Sequence, residues 1–167
     1  MAETKRLARK AQRIKMLLLD VDGVMTDGGI YYSADGVELK RFHAQDGYGI
    51  ARALDRGISV GIISGRSSPI VELRAKELHI DDVFQNADDK VAAMKEVLKK
   101  HSLSEVQTAF IGDDLFDLPL LKAVGLSAAP NNARTEVKRT VDIVTKSNGG
   151  EGAVRELIDF ILKHQKT

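Results

Sequence analysis

Three short apolar runs, each followed at once by polar residues, constrain the fold of this chain more than any other feature. The runs are residues 16–19 before Asp20, residues 58–63 before Ser64, and residues 109–111 before Gly112 and Asp113. Continuous apolar runs of this length are typical of strands that are buried on both faces of a parallel sheet. Longer amphipathic segments separate them, so the sequence predicts a doubly wound, Rossmann-like α/β fold with a parallel sheet.

The predicted helices lie between and after these strands. They cover residues 47–56, 69–78, 90–100, 116–124 and 152–164. Pro119 is expected in the first turn of its helix, where the missing N–H of a proline costs nothing. One segment breaks the alternation, because residues 30–33 and 37–42 flank Ala34-Asp35-Gly36 and the Asp-Gly pair is typical of a β-hairpin turn. A hairpin insertion over residues 28–42 is therefore expected directly after the first strand.

The length of the chain is typical of one compact domain, here residues 1–167. Residues 1–13 form a basic lead-in, which is expected to be a solvated helix rather than a nucleic-acid site. Residues 147–167 form a glycine-rich C-terminal tail with the last helix. The glycines at 149, 150 and 152 are compatible either with a flexible link or with a glycine-rich turn that begins this helix.

Composition excludes several classes of function. The 25 basic and 24 acidic residues give a net charge of +1, so the chain has no general attraction for nucleic acid or a membrane surface. No apolar run approaches the roughly 20 residues that span a bilayer. The chain contains no cysteine, which excludes disulfides and thiolate metal sites and fits a cytoplasmic protein.

The polar residues at the strand ends are expected to meet, because ligands of an open α/β sheet bind beyond the carboxyl ends of its strands. This set consists of Asp20, Asp22, Ser64, Arg66, Asp113, Asp114 and Asp117, with Lys90 at the start of a helix. Clustered carboxylates repel one another unless a cation lies among them, and oxygen ligands without cysteine or clustered histidine favour Mg²⁺. Ser64 can donate to a phosphate oxygen and Lys90 can stabilise developing negative charge. A carboxylate nucleophile would give an aspartyl-phosphate, so the set predicts phosphoryl transfer.

In this order the residues resemble the four motifs of the haloacid dehalogenase-like phosphatases. The matching residues are Asp20-Val21-Asp22-Gly23-Val24 with Thr26, then Ser64, then Lys90, then Gly112-Asp113-Asp114 with Asp117, within a match from about residue 14 to residue 155. The resemblance implies that Asp20 is the nucleophile and a Mg²⁺ ligand. It implies that Asp22 is the general acid and base, with its carbonyl on the metal, and that Asp113 is the remaining protein ligand. Asp114 and Asp117 would support these ligands, and Asp117 would orient Lys90.

The spacing of the motifs leaves no room for the cap domain that covers the site in many members of this family. An open site is poor at selecting small substrates, so a neighbouring subunit is expected to close it. The sequence is most similar to the capless subgroup that hydrolyses 3-deoxy-D-manno-octulosonate 8-phosphate for lipopolysaccharide synthesis. This resemblance implies a homotetramer whose hairpins form a central barrel and whose C-terminal tails reach neighbouring sites.

By the same resemblance, the substrate would contact Thr26, His43, Ala44, Gln45, Asp46, Gly47, Gly65, Arg66, Arg74 and Lys90. Two arginines suit a substrate that carries both a carboxylate and a phosphate, since the guanidinium fork matches either group. For Arg74 an exposed helix position with a partner one turn away is the alternative.

Three other functions stay open at this stage. The substrate could be a nine-carbon sugar-acid 9-phosphate. The chain could instead be a non-catalytic domain of the type fused to sugar cytidylyltransferases, although every chemical position is filled here. A receiver domain also holds an acidic cluster and a lysine, but its phosphorylated aspartate follows a middle strand, whereas Asp20 follows the first.

Overall fold

The computed structural model describes residues 2–165 and shows a six-stranded, wholly parallel sheet between two layers of helices. In chain order the strands are β1 Met16–Leu19, β2 Tyr31–Tyr32, β3 Glu38–Leu39, β4 Ser59–Ile63, β5 Asp82–Phe84, β6 Thr108–Ile111, β7 Leu126–Ala129 and β8 Ile143–Val144. The sheet has the order β5-β4-β1-β6-β7-β8, and β2 pairs only with β3. The predicted α/β fold is confirmed, and β1 lies at its centre.

The helices are α1 Ala2–Ala11, α2 Ala44–Asp55, α3 Pro69–Glu77, α4 Lys90–His101, α5 Leu118–Ala123, α6 Thr135–Lys138 and α7 Ala153–His164. Side chains of β1 alternate between the two helical layers, as the pleat of a strand requires. Leu17 and Leu19 belong to the apolar cluster formed with α1, α2, α3 and α7. Met16 and Leu18 belong to the cluster formed with α4, α5 and α6. Both faces of β1 are therefore buried, which explains its continuous apolar run.

Two predicted helices differ from the structure by more than one residue at a boundary. Helix α2 begins at Ala44, three residues before the predicted start, because the backbone is extended only as far as His43. The predicted helix over 116–124 is divided into a 3₁₀ turn at Leu115–Asp117 and α5. Pro119 lies in the first turn of α5, as predicted.

The predicted hairpin is present as a short antiparallel pair. Tyr31 is paired with Leu39 and Tyr32 with Glu38, and the Gly36 N–H donates to the Ser33 carbonyl at 2.9 Å to close the turn. Five apolar side chains on this hairpin are 45–62% exposed: Ile30, Tyr31, Tyr32, Val37 and Leu39. A two-stranded ribbon with this much exposed apolar surface has little intrinsic stability of its own.

The C-terminal segment is packed against the domain, which corrects its interpretation as a flexible link. A Cβ on Gly149 would lie 1.8 Å from the Gly23 carbonyl oxygen, and the Gly150 N–H donates to the Val24 carbonyl at 3.0 Å. Helix α7 then packs against α1 and α2. The alternative interpretation, a glycine-rich turn that begins the last helix, agrees with Gly152 as the residue before α7.

The basic lead-in is a helix, as predicted, and it is attached to the domain by ion pairs. Arg6 and Lys10 lie 2.9 and 2.6 Å from the Asp142 carboxylate. Over residues 2–165, no helix combines the length and the apolar character that a membrane span requires.

Candidate active site

A cavity of about 310 Å³ opens at the carboxyl ends of β1, β4 and β6. Its walls are formed by Asp20, Asp22, Gly28, Ser64, Gly65, Arg66, Lys90, Asp113, Asp114, Phe116 and Asp117. The polar residues that follow the three apolar runs thus meet at one edge of the sheet. This meeting follows directly from parallel strands that all end on the same side.

Asp20 lies at the centre of this edge and is fixed by the sheet itself. Its N–H donates to the Ile111 carbonyl at 3.1 Å, which continues the pairing of β1 with β6. Its Oδ1 accepts from the Val21 N–H at 2.8 Å and lies 3.0 Å from Lys90 Nζ. Burial, and after it the charge of Asp117, raises the pKa of Asp20 to about 7 although Lys90 opposes this shift.

Lys90 is the first residue of α4, and its side chain is only 4% exposed. Its Nζ lies 2.6 Å from Asp117 Oδ1 and 3.0 Å from Asp20 Oδ1. Burial opposes its charge, but the two carboxylates outweigh burial and raise the lysine pKa. Lys90 is therefore a cation that bridges two buried carboxylates.

Asp117 holds the loop after β6 in place. One oxygen accepts from Lys90, and the other accepts from the N–H groups of Asp113 and Asp114 at 2.9 and 3.2 Å. Both oxygens of Asp117 are thus engaged by protein donors. Asp117 is therefore suited to orient Lys90 rather than to bind a cation directly.

Among the described residues, the Asp113 carboxylate has no such set of protein donors. Burial, together with repulsion by Asp117 and Asp114, raises the pKa of Asp113 to about 7 although Lys90 opposes this shift. Asp20, Asp113 and Asp117 each place one oxygen within 4.8 Å of the others. Since both Asp117 oxygens are already engaged, Asp20 and Asp113 are the members of this group that fit a hard divalent cation such as Mg²⁺. Both offer carboxylate oxygens, and one lysine does not balance the three carboxylates.

Ser64 and Arg66 form the opposite wall. The Ser64 N–H donates to the Phe84 carbonyl at 2.8 Å, which continues the sheet, and its hydroxyl accepts from the Arg66 N–H at 3.3 Å. The Ser64 O–H proton is left free to donate to a bound phosphate. Arg66 Nη1 lies 3.5 Å from Asp22 Oδ2, so this side chain extends across the mouth of the cavity.

The loop between Asp20 and Gly28 is shaped by close backbone packing. Gly23 has φ +87°, and a Cβ there would lie 2.1 Å from Asp113 Oδ2, so no other residue fits. Thr26 is 1% exposed; its hydroxyl accepts from the N–H groups of Gly23 and Gly28 and donates to the Val21 carbonyl. The Thr26 hydroxyl is thus engaged inside the loop, and Thr26 is not among the residues that line the cavity, so its contact with substrate stays a prediction.

Of the other expected substrate contacts, only Gly65, Arg66 and Lys90 line the catalytic cavity. His43, Asp46, Gly47 and Arg74 line a separate cavity of about 10 Å³ between α2 and α3. Ala44 and Gln45 are exposed in the first turn of α2. One chain therefore does not bring residues 43–47 and Arg74 to the phosphate cavity.

The small cavity is unusual in its hydrogen bonding. Arg74 stacks on the Phe42 ring at 5.6 Å and lies 3.1 Å from Glu77, a partner of the kind expected for a helix position. Within the described residues, His43 Nδ1, Asp46 Oδ2 and Arg74 Nε are buried without a hydrogen-bond partner. Such orphaned polar atoms are uncommon, since each costs free energy unless something outside the chain pairs with it.

Sequence reasoning missed four residues at this site. Gly28 and Phe116 line the cavity, and a Cβ on Gly65 would lie 3.2 Å from the Phe116 ring. Glu38 and Lys40 reach the site from the hairpin, where Lys40 is hydrogen-bonded to Asp22. The signal was present as two charged residues that alternate with the apolar Val37 and Leu39, a pattern typical of a strand with one inward and one outward face.

The chain belongs to the haloacid dehalogenase-like hydrolase family, whose model matches residues 74–158. This family defines the class of protein to which the fold and the acidic site correspond.

Particular relatives are more informative than the class. The chain is 44% identical over 156 residues to the 3-deoxy-D-manno-octulosonate 8-phosphate phosphatase KdsC of Escherichia coli K12, covering 93% of this chain and 83% of that protein. A Moraxella catarrhalis phosphatase of the same name, solved with magnesium, phosphate and KDO, is 40% identical with a TM-score of 0.94 over 96% of this chain and 92% of that chain. The cobalt-bound Haemophilus influenzae phosphatase YrbI is 43% identical with a TM-score of 0.90 over 93% and 91%.

Proposed function

We propose that this protein is a Mg²⁺-dependent phosphatase that releases phosphate from 3-deoxy-D-manno-octulosonate 8-phosphate, a precursor of lipopolysaccharide. The observation that carries the proposal is the buried cluster in which Lys90 bridges Asp20 and Asp117 beside Asp113. Relatives at 40–44% identity that bear this activity in their names support the substrate.

Asp20, Asp113 and the backbone carbonyl of Asp22 would hold the Mg²⁺. When bound, the ion offsets the negative charge of the carboxylates and of the phosphate, which otherwise repel one another. The raised pKa values of Asp20 and Asp113 are in keeping with this role, since both carboxyls are costly to ionise where no cation lies beside them.

The chain's own residues then carry out two displacements at phosphorus. An Asp20 oxygen attacks phosphorus, the bond to the sugar oxygen breaks, and Asp22 donates its proton to that leaving oxygen. Asp22 next accepts a proton from water, the water oxygen attacks the aspartyl-phosphate, and phosphate leaves with Asp20 restored. Ser64 and Lys90 donate to the phosphoryl oxygens as their charge grows.

Arg66 is the residue that favours a sugar acid over a neutral sugar. Its side chain is 42% exposed at the mouth of the cavity, where it can meet the carboxylate of a substrate whose phosphate lies deeper. The same geometry accepts a nine-carbon sugar-acid 9-phosphate, which is the second candidate. The eight-carbon acid is favoured because the M. catarrhalis relative is described in complex with KDO.

The proposal includes the assembly and the location of the protein. A homotetramer would cover the exposed apolar side chains of the hairpins, and a neighbouring chain would bring residues such as His43 and Arg74 to the substrate. The orphaned polar atoms of these two residues support a contact with another chain. Residues 1–167 would act as a single cytoplasmic domain, without a nucleic-acid or membrane partner.

The test is phosphate release with and without Mg²⁺ from three kinds of substrate: the eight-carbon acid 8-phosphate, the nine-carbon acid 9-phosphate and simple hexose phosphates. A kcat/KM at least about tenfold higher for the eight-carbon acid, a difference of about 1.4 kcal/mol in transition-state binding, is expected. Equal rates on all three would leave a general sugar phosphatase. No release from any of them, with a folded protein, would favour a non-catalytic binding domain.

A further inference from the structure

The β2–β3 hairpin places a buried lysine, Lys40, against the carboxyl group of Asp22, the proposed general acid. The side chain of Lys40, which follows β3, is 2% exposed. Its Nζ donates a hydrogen bond to Asp22 Oδ1 and lies 3.5 Å from Glu38 Oε1. A buried ammonium group persists only where charged partners replace water, so its placement against Asp22 is specific.

Glu38 connects this lysine to the opposite wall of the site. Its Oε1 lies 3.2 Å from Arg66 Nη2, and its Oε2 accepts from the Ser68 hydroxyl at 2.6 Å. Ser68 is the N-cap of α3, so the carboxylate lies at the positive end of that helix. The Ser68 hydrogen bond, with the charges of Lys40 and Arg66, lowers the pKa of Glu38 and keeps it an anion.

The two oxygens of Asp22 are therefore approached by two different cations that share one anchor. Lys40 contacts Oδ1, and Arg66 lies near Oδ2. Both cations are held by the same Glu38 oxygen. With a cation at each oxygen, the Asp22 carboxyl group is held in one orientation. An aspartate at a cavity mouth without such contacts samples several rotamers.

We propose that Glu38 and Lys40 are positioning residues that fix the side chain of Asp22 for proton transfer to the leaving sugar oxygen. The proposal rests on the phosphatase function proposed above. In the first step the sugar oxygen leaves phosphorus and takes its proton from Asp22, and neither Glu38 nor Lys40 exchanges a proton. Their contribution is geometric, because general acid catalysis requires the donor within hydrogen-bond reach of the leaving atom.

The segment Glu38 to Lys40, which includes β3, has one face toward the site and one face toward solvent. Glu38 and Lys40 point toward the site, whereas Leu39 between them is 55% exposed. The position of the hairpin therefore determines the position of Asp22, through two side chains of one strand.

The test compares Lys40→Met and Glu38→Gln with wild type on two substrates. One is the sugar-acid 8-phosphate, whose alkoxide must be protonated as it leaves; the other is p-nitrophenyl phosphate, whose phenolate leaves without a proton. For each variant we expect kcat to fall about 30-fold or more on the sugar phosphate but no more than about threefold on the aryl phosphate, since general acid catalysis contributes about 100- to 10,000-fold. Lys40→Arg, which keeps a cation, should recover part of the loss.

Arg41→Met is the matched control. Arg41 is adjacent in sequence and equally charged, but its side chain is 58% exposed and pairs with Glu151 at 3.7 Å rather than with Asp22. It should lose no more than about twofold on either substrate, as expected for an exposed ion pair of small energy.

Equal losses on the two substrates would show a merely structural role and would overturn the proposal, as would unchanged kcat on the sugar phosphate. Thermal melting identifies any variant that fails to fold, and Glu38→Gln, which keeps the shape of the side chain, then carries the test. Wild-type protein that releases no phosphate from the sugar acid would instead overturn the proposed function itself.

Discussion

The catalytic edge of the sheet and the β2–β3 hairpin are built on opposite principles. At the edge, charged side chains are buried and paired within the chain, as in the bridge from Lys90 to Asp20 and Asp117. On the hairpin, apolar side chains such as Tyr32 and Leu39 are more than half exposed. Within residues 2–165, Lys90 is paired with Asp20 and Asp117, whereas the apolar outer face of the hairpin is left exposed.

We infer from this difference that phosphate chemistry depends on the catalytic edge, whereas the proposed enclosure of the substrate by a neighbouring chain depends on the outer face of the hairpin. Buried ion pairs are costly to break because removal of one partner leaves an uncompensated charge. Exposed apolar patches are costly in another way, since they favour association with a second surface. Changes at the edge should therefore affect rate and folding. Changes on the exposed outer face of the hairpin, unlike changes at Glu38 and Lys40, should affect assembly.

The largest effect is expected at the edge, from Asp20→Asn. Loss of the nucleophile should reduce kcat by at least about a thousandfold, because an amide does not attack phosphorus. The fold and the assembly should be unchanged, since asparagine has the same shape and keeps the Val21 contact. Phosphate release and gel filtration measure the two properties, and activity within tenfold of wild type would contradict the role of Asp20.

The next largest effect is expected from Lys90→Met, which tests stability as well as catalysis at the same edge. Lys90→Met should lower kcat by about a hundredfold and the free energy of unfolding by about 3 kcal/mol, because Asp20 and Asp117 lose their shared buried cation. Urea denaturation of the metal-free protein measures the stability. Lys95→Met, on the exposed face of the same helix, is the control and should change stability by less than about 0.5 kcal/mol.

A hairpin substitution should give the reverse pattern. Leu39→Lys places a charge at an apolar position that is 55% exposed. If the proposed oligomer forms through the hairpin, this change should dissociate it and reduce kcat/KM by about tenfold. Val106→Lys makes the same change at an equally exposed residue outside the hairpin and should alter neither property. Sedimentation measures the assembly. An intact oligomer in the Leu39 variant would exclude the hairpin as its interface.

The smallest effect concerns the cation that completes the edge. Asp20 and Asp113 have pKa values of about 7, against an ordinary value of 3.8, so the folded metal-free protein retains protons that the unfolded chain has released between these values. Its stability should therefore fall as the pH rises through this window and become constant above about pH 7. Mg²⁺ requires ionised carboxylates, so it should raise the Tm by about 5 °C more at about pH 8 than at about pH 5.

That comparison has a control in the chain itself. Asp113→Asn removes one proposed ligand and should abolish most of the Mg²⁺-induced shift in Tm at the higher pH. A shift that is equal at both pH values would contradict ligation by these two carboxylates.

The catalytic edge could be predicted from the sequence because the features that determine it are local. Each apolar run ends in its polar residue, and parallel strands bring those ends together whatever the loops do. Asp20, Ser64 and Asp113 therefore meet as expected, with Lys90 beside them at the start of its helix.

The sequence was not sufficient for the contacts that depend on how loops fold back. Thr26 was expected at the substrate, but its hydroxyl is consumed by backbone groups of its own loop. His43, Asp46, Gly47 and Arg74 were expected in the same place, yet they line another cavity between α2 and α3, and Ala44 and Gln45 are exposed. The Lys40 contact with Asp22 was missed because it depends on the angle at which the hairpin meets the domain.

The close packing of Gly149 on Gly23 has a consequence for folding during synthesis. The Gly23 loop carries Asp22 and lies against Asp113, and it is covered on its other side by a segment near the opposite end of the chain. During synthesis the N-terminal strands emerge long before residues 149 and 150, and such distant contacts form slowly because a long loop must close first. A nascent chain can thus fold most of its sheet while its catalytic loop still lacks a support, so the loop reaches its final form only after residues 149 and 150 have been made.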